Sequence, residues 1–198
     1  MKIDWIQNKQ VLSHKKLWDT VSFIKEDLDD ISLALINKFA LTHVNGGMQI
    51  HRYRIDSNSD IQWYIHRNRL QEIEFLKNLL SHKDLVDFRN DLDITIKNPN
   101  KDRLISYHTD IFSLVGSIAR NLYQGGAYEH IECDDAWNTA ITYVEEAFQN
   151  RFDEVLFMNT SIFEEPGSWF YDVAWDYSWI LVDKRYNRVT LISITDTD

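Results

Sequence analysis

The sequence is poor in cysteine, proline and glycine, and each scarcity excludes a class of protein. The single cysteine, Cys133, cannot form an intrachain disulfide, so we expect a fold held by packing in a compartment that keeps thiols reduced. Two prolines and six glycines leave little material for nucleotide loops, and neither Gly-x-Gly-x-x-Gly nor a Walker-type motif occurs. A Gly-x-Ser-x-Gly nucleophile elbow is also missing. The sequence therefore predicts no catalytic site and no cofactor.

Long hydrophobic runs are missing too. No apolar stretch approaches the roughly 18 residues that span a membrane, and the first residues lack the basic segment and apolar run of a secretory signal. We therefore expect a cytoplasmic protein with no membrane partner. The 198 residues are 44% hydrophobic and 13% aromatic, which predicts a single folded domain over residues 1–198 with its own core.

Negative charge is concentrated at one end of the chain. The net charge is −10, yet residues 1–128 hold 17 Lys and Arg against 16 Asp and Glu, whereas residues 129–198 hold 4 against 15. A field of this sign repels nucleic-acid phosphates and speeds encounter with basic proteins. We therefore expect a cationic protein partner and no nucleic acid. An acidic surface that serves only solubility is the alternative interpretation.

Hydrophobic periodicity predicts a helix near the start of the chain. Apolar residues spaced three to four apart predict that it is capped by Asp19, covers residues 21–39 and ends before Asn45-Gly46-Gly47. The β-favouring runs at 48–55 and 61–65 flank a polar loop and predict one β-hairpin.

Further helices are predicted in the middle of the chain. Apolar stripes indicate helices over residues 68–80 and 101–123. Another helix is predicted to begin at Asp134 or Asp135, with Trp137 turned toward the core.

The period of the pattern changes from 3.6 to 2 at Trp169. From there the odd positions are apolar or aromatic, whereas the even positions include Asp172 and Asp176, which predicts a strand with one buried face. A turn at residues 183–187 leads to a second strand over 188–195. The predicted fold class is therefore α+β, with a helical N-terminal two thirds containing one β-hairpin, packed against a C-terminal antiparallel β meander.

Potential metal ligands gather between two predicted helices. They are Glu129, His130, Glu132, Cys133, Asp134 and Asp135. Neither His-x₃-His nor Cys-x₂-Cys spacing occurs among them, and carboxylates at a helix N-terminus are expected from the helix dipole alone. We therefore predict no metal site.

Basic and aromatic residues interleave around the predicted hairpin, a combination that can bind single-stranded nucleic acid. They are His51, Arg52, Arg54, His66, Arg67 and Arg69, with Tyr53, Trp63 and Tyr64 among them. The plainer interpretation is that the basic groups lie on the wet face or pair with the acidic end of the same domain. The net charge of −10 favours that interpretation over phosphate binding.

Arg103 and His108 stand five residues apart on a predicted helix. This Arg-x₄-His spacing resembles the ribonuclease motif of the helical HEPN family, which implies a phosphate-stabilising arginine and a proton-moving histidine. HEPN sequences usually place a polar residue after the arginine, whereas Leu104 follows here. A packing role for His108 is the alternative, because the predicted C-terminal sheet has no place in that all-helical fold.

The C-terminal end resembles that of some bacterial immunity proteins. The resemblance lies in the strand pattern of Asp-Val-Ala-Trp-Asp-Tyr-Ser-Trp-Ile-Leu-Val-Asp at 172–183 and of the final run ending in Thr-Asp-Thr-Asp. Immunity proteins of contact-dependent and polymorphic-toxin systems neutralise toxins in bacterial competition. The resemblance implies a cytoplasmic inhibitor of a cognate toxin, often a basic nuclease, and identifies no single family.

These observations predict a toxin inhibitor that acts by protein–protein interaction through acids and aromatic anchors. An enzyme of the HEPN type and an adaptor binding module without a toxin context are the alternatives. The predicted partner-binding residues are Asp172, Asp176, Glu164, Glu165 and Trp169.

Overall fold

Six strands and seven α-helices occupy the part of the chain that a computed structural model describes, namely residues 14–56, 59–94, 106–160, 169–170 and 172–198. The strands are β1 (Phe23–Glu26), β2 (Gly47–Ile55), β3 (Ser106–Thr109), β4 (Val155–Thr160), β5 (Tyr177–Asp183) and β6 (Arg188–Thr195). The helices are α1 (His14–Thr20), α2 (Asp30–Ala40), α3 (Ser59–His66), α4 (Phe75–Ser81), α5 (Val86–Asp91), α6 (Ile111–Gln124) and α7 (Cys133–Phe148). Short 3-10 helices lie at Leu70–Ile73, Lys83–Leu85 and Phe152–Glu154. The predicted α+β class is confirmed.

The strands form one antiparallel sheet in the order β1-β2-β6-β5-β4-β3. The predicted turn between the last two strands is confirmed, since Asp183 pairs with Arg188 across it. Strands β4, β5 and β6 are antiparallel neighbours in chain order, as in the predicted C-terminal meander, and β6 also pairs with the N-terminal strand β2.

Both faces of the sheet are covered, so the prediction of one buried face is wrong. Helices α1, α3, α4 and α5 contribute to the core on one face, and α2, α6 and α7 contribute to the core on the other. Every residue at 178–183 and at 189–196 is buried. Alternate residues of β5 therefore enter different cores, with Ile180 in the first and Trp179 in the second.

The long N-terminal helix predicted over 21–39 is wrong in its first half. Residues 23–26 form β1, which pairs with β2, and the helix begins only at Asp30. The reason is Asp29, whose Oδ1 accepts the backbone N–H of Ser32 at 3.1 Å and starts a new helix there. The stretch before this cap is then free to complete the sheet edge.

The predicted hairpin around residues 48–65 is also wrong. Its first half is β2, but its second half belongs to helix α3. Ile61 and Ile65 are both fully buried and lie four positions apart, so they share one helical face toward the core. A short apolar run of this kind satisfies both a strand and a helix pattern, and packing decides between them.

Two further boundaries differ from the predictions. The helix predicted from residue 101 begins at Ile111, where the Asp110 carboxylate caps it by accepting the Ser113 N–H at 2.9 Å. The strand predicted from Trp169 begins at Tyr177. Strand β4 was not predicted. Within the described ranges, no helix combines the length and the apolar character needed to cross a membrane.

Candidate functional site

The predicted partner-binding residues occupy different environments. The half-buried Trp169 packs against the core, and its backbone N–H donates to the Leu92 carbonyl at 2.8 Å. Asp172 is exposed, with a φ of 58°. Glu164 and Glu165 lie outside the described residues. Their role in binding stays a prediction.

Asp176 is engaged inside the fold. One carboxylate oxygen accepts the Val173 N–H at 3.0 Å, and the other accepts the hydroxyl of Thr195 on β6. The side chain is half-buried. Asp176 therefore ties the residues just before β5 to the central strand β6. The alternating sequence pattern does not reveal this structural role.

A second acid of the C-terminal third is fully internal. Asp183, at the end of β5, accepts two hydrogen bonds from the Arg151 guanidinium at 2.9 and 2.6 Å. Both side chains are buried, and the carboxylate raises the pKa of Arg151 above its ordinary value. Glu154 pairs with Arg151 and with Arg185, and these guanidinium groups hold the pKa of its carboxyl below the usual range, Arg185 contributing most.

The Thr-Asp-Thr-Asp ending is a clasp between two glycine loops. The buried Asp196 carboxylate accepts the N–H of Asn45 at 2.8 Å and the N–H of Ala127 at 2.7 Å. A Cβ on Gly126 would overlap this carboxylate, and a Cβ on Gly46 would overlap the Thr195 carbonyl. The two glycine pairs of the sequence are thus places where the chain must pass close to the C-terminal segment.

The basic and aromatic group around β2 and α3 is engaged within the protein. The buried Arg52 donates to Asp29 at 2.9 and 3.2 Å, and buried His51 lies 2.9 Å from the Asp91 carboxylate. Arg67 and Arg69 both stack on the Trp63 ring, with guanidinium carbons 4.6 and 4.9 Å from its centroid. The described acidic partners lie in the N-terminal half, and Arg54 and Arg69 are exposed, as the wet-face interpretation expects.

Helix α7 and the loop before it carry the largest run of exposed acids in the described chain. We call this surface the acidic hairpin face. Its acids are Glu129, Glu132, Asp134, Asp135, Glu145 and Glu146, all exposed. The structure describes all of residues 110–153, and this segment contains two Lys or Arg residues, Arg120 and Arg151. Arg120 is exposed, whereas Arg151 is buried against Asp183.

Four large aromatic rings are exposed on the same helical hairpin. Phe112 is 67% exposed, Tyr123 53%, Tyr128 63% and Trp137 49%. The sequence predicted that Trp137 turns inward, and this is wrong. Ala136 and Ala140 lie on the buried face of α7 instead, where the helix packs against α6 and α2.

The two helices of the hairpin run antiparallel. At one end the Ile131 N–H donates to the Leu122 carbonyl at 3.3 Å, and at the other the rings of Phe112 and Phe152 meet edge to face at 5.6 Å. On α6 the positions Phe112, Gly116 and Tyr123 recur at helical spacing and share one side. A Cβ at Gly116 would meet no atom within 4 Å, so there is open space on this side of α6 between the rings of Phe112 and Tyr123.

The hairpin presents exposed acids and aromatic rings. Among the described residues, no group of three or more His, Cys, Asp or Glu could hold a metal ion. His108 lies on β3 and not on the helix predicted for it, while Arg103 is outside the described residues. The sequence predicts the acidic charge of the C-terminal third, whereas the strand predicted from Trp169 begins only at Tyr177.

Comparison with known proteins finds no relative: no protein-family model matches the chain, and no curated protein does.

Proposed function

We propose that this protein is an immunity-type inhibitor that binds and neutralises a basic bacterial toxin through the acidic hairpin face. The observation that carries the proposal is the juxtaposition of six exposed acids and four exposed aromatic rings on one helical hairpin. Such a surface suits a cationic protein partner, because charge of one sign steers encounter and aromatic rings supply desolvated contact area.

The electrostatic part of the proposal depends on how few of the exposed carboxylates pair with a basic side chain. Lys38 of α2 pairs with Asp135 at 2.6 Å, and Thr139 contacts the other oxygen of that carboxylate only at 3.5 Å. Helix α7 itself contains no Lys or Arg. Close spacing of uncompensated carboxylates raises the local negative potential, which a basic nuclease surface would relieve on binding.

The aromatic part explains how a complex would persist once formed. Tyr and Trp are enriched among the residues that dominate interface energies. Tyr123 and Trp137 lie near the same end of the hairpin, because the C-terminus of α6 adjoins the N-terminus of α7. Tyr128 lies in the connection between them.

The toxin context of the proposal comes from the resemblance of the C-terminal sequence to immunity proteins. The direct test is binding between the purified protein and the polypeptide encoded by the neighbouring gene, measured by calorimetry at several salt concentrations. Expression of the protein should also protect cells against that polypeptide. We expect affinity to fall as ionic strength rises, since exposed charges more than about 10 Å apart are screened at 0.1 M salt.

A matched pair of variants assigns the surface. One variant converts Asp134, Asp135, Glu145 and Glu146 to their amides, and the control converts the exposed acids Asp19, Glu72, Asp87 and Asp93, which belong to the other side of the sheet. The first should weaken binding by at least about tenfold and flatten its salt dependence, and the control should change affinity little. If the wild-type protein neither binds nor protects, the toxin-inhibitor function is rejected; if both variants weaken binding equally, the hairpin surface is rejected.

A further inference from the structure

A cavity of about 330 Å³ opens between helices α2 and α7, beside the acidic hairpin face. Its apolar wall includes Ile31 and Ala34 of α2 together with the Tyr143 ring of α7. Its polar rim includes Lys38 from α2 and Asp135 and Thr139 from α7. The Tyr143 side chain is buried, and burial raises its pKa to about 12.

The rim of the cavity already holds a cation supplied by the protein itself. Lys38 Nζ lies 2.6 Å from Asp135 Oδ2, and the lysine side chain is 25% exposed whereas the aspartate is 49% exposed. Within the described part of the chain, the contact of Asp135 Oδ1 is the Thr139 hydroxyl at 3.5 Å. This oxygen therefore keeps the capacity to accept a stronger hydrogen bond from a donor that enters the cavity.

We propose that this cavity is the anchor site for an arginine side chain of the basic partner. The aliphatic stem would lie against Ile31 and Ala34, while the guanidinium group would donate to Asp135 in place of Lys38. Arginine suits the site better than lysine, because its planar donors match a carboxylate and its weakly hydrated head tolerates an apolar wall. The proposal rests on the proposed function, since it names the partner group that the same surface receives.

Lys38 has a defined role in this proposal, because it competes with the incoming cation for one carboxylate. Replacing it with methionine keeps the stem and removes the charge, so the Lys38→Met variant should bind a guanidinium group more tightly than the wild-type protein. A merely structural ion pair would give the opposite result, since its loss would loosen the α2–α7 contact and the cavity with it.

The first experiment uses side-chain probes. N-acetyl-arginine methylamide is titrated into the isotope-labelled protein while the backbone amide signals of Ala34 and Thr139 are followed, and the uncharged isostere N-acetyl-citrulline methylamide serves as the control ligand. We expect saturable shifts with the arginine probe, binding of the citrulline probe at least about tenfold weaker, and tighter arginine binding by Lys38→Met. No saturable shift, equal binding of the two probes, or no gain in Lys38→Met would each overturn the proposal.

Two further variants locate the probe. Asp135→Asn removes the carboxylate charge and Thr139→Phe fills the cavity, so each should lower arginine affinity about tenfold or more. The control is Asp87→Asn, because Asp87 is an aspartate of similar exposure that pairs with Lys25 at 3.1 Å on the opposite side of the sheet. Melting curves confirm that each variant is folded. Unchanged arginine binding by a folded Asp135→Asn protein contradicts the assignment.

The second experiment separates this proposal from the proposed function. The neighbouring gene product is titrated with the wild-type protein and with Thr139→Phe. Tight binding by both proteins overturns the arginine anchor and leaves the inhibitor function standing. Binding of the arginine probe without binding of the gene product rejects the proposed partner, while the cavity keeps its chemical selectivity.

Discussion

The charged groups of the two helical layers are used in different ways. In the layer with α3 and α5, and on the strand edge beside it, basic groups lie against acids or rings of the same protein, as Arg69 does against Glu72 and Trp63. In the α6–α7 hairpin six acids are exposed beside one exposed arginine. Even within residues 129–198, Asp176, Asp183 and Asp196 serve the fold. The comparison teaches that a segment's net charge indicates a partner only after its internal pairs are removed.

The largest expected effect concerns Asp183, one of the acids that bond to other groups inside the fold. Asp183→Asn should lower the free energy of unfolding by about 3–5 kcal/mol, because the buried Arg151 guanidinium loses the charge that compensates it. Urea denaturation monitored by tryptophan fluorescence measures the change. Glu145→Gln, an exposed acid of the hairpin, is the control and should change stability by less than about 0.5 kcal/mol. Equal losses in the two variants would erase the distinction between internal and exposed acids.

The next largest effect is the pH dependence of the unfolding free energy that arises from His43, a buried residue beside the Asp196 clasp. Burial lowers the pKa of His43 to about 4, whereas the unfolded chain titrates near 6.5. Between these values the unfolded state binds more protons, so the contribution of His43 is fully present above pH 6.5 and is lost as pH falls toward 4. It amounts to up to about 3 kcal/mol.

The variant His43→Gln tests this assignment through the slope of unfolding free energy against pH. The slope between pH 6.5 and 4 should become shallower than in the wild-type protein, though not flat, since burial also lowers the pKa of His51 and of His82. A slope identical to that of the wild-type protein would assign the acid sensitivity to other groups.

The clasp itself gives a smaller effect. Asp196→Asn replaces one acceptor oxygen by a donor that faces a backbone N–H of Asn45 or Ala127, at an expected cost of about 2 kcal/mol. Hydrogen exchange should accelerate at these two amides. The control is Asp198→Asn at the exposed end of the chain, which should leave both exchange rates unchanged. Unaltered protection in Asp196→Asn would show that the two loops hold their positions without the carboxylate.

Local sequence signals predicted the features that depend on local chemistry. The turn after Asp183 and the helix that begins near Asp134 were both predicted, because Asp183 accepts the nearby N–H groups of Arg185 and Tyr186 and acids are favoured in the first turn of a helix. Strand β1 and helix α3 were assigned to the wrong class, because packing against distant segments decides short apolar runs.

The candidate surface was predicted only in its charge. Asp176 and Asp196 look like surface acids in the sequence. In the structure, however, Asp176 accepts a hydrogen bond from Thr195 of β6, and Asp196 accepts one from Asn45, and both partners are distant in the sequence. Trp137 fits the inward stripe of a helix, yet the buried face of α7 is the one that carries Ala136 and Ala140. No spacing rule within α7 distinguishes these outcomes, because they depend on what packs against the helix.

The smallest expected change in stability belongs to the exposed acids. Converting Asp134, Asp135, Glu145 and Glu146 to amides removes like charges from a single helix, so unfolding free energy should shift by no more than about 0.5 kcal/mol per site, upward at Glu145 and Glu146. The shift should be downward at Asp134 and Asp135, which favour the positive N-terminus of α7.

The opposed signs make the four-site variant nearly as stable as the wild-type protein, and thermal melts at low and high salt measure the difference. High salt should reduce it further, because screening weakens both the repulsion at one end of the helix and the dipole interaction at the other. A loss of several kcal/mol would place these carboxylates in the internal class with Asp183. A near-zero change means that the fold has no need of these four carboxylates, so that any loss of binding in the same variant reports on the surface and not on stability.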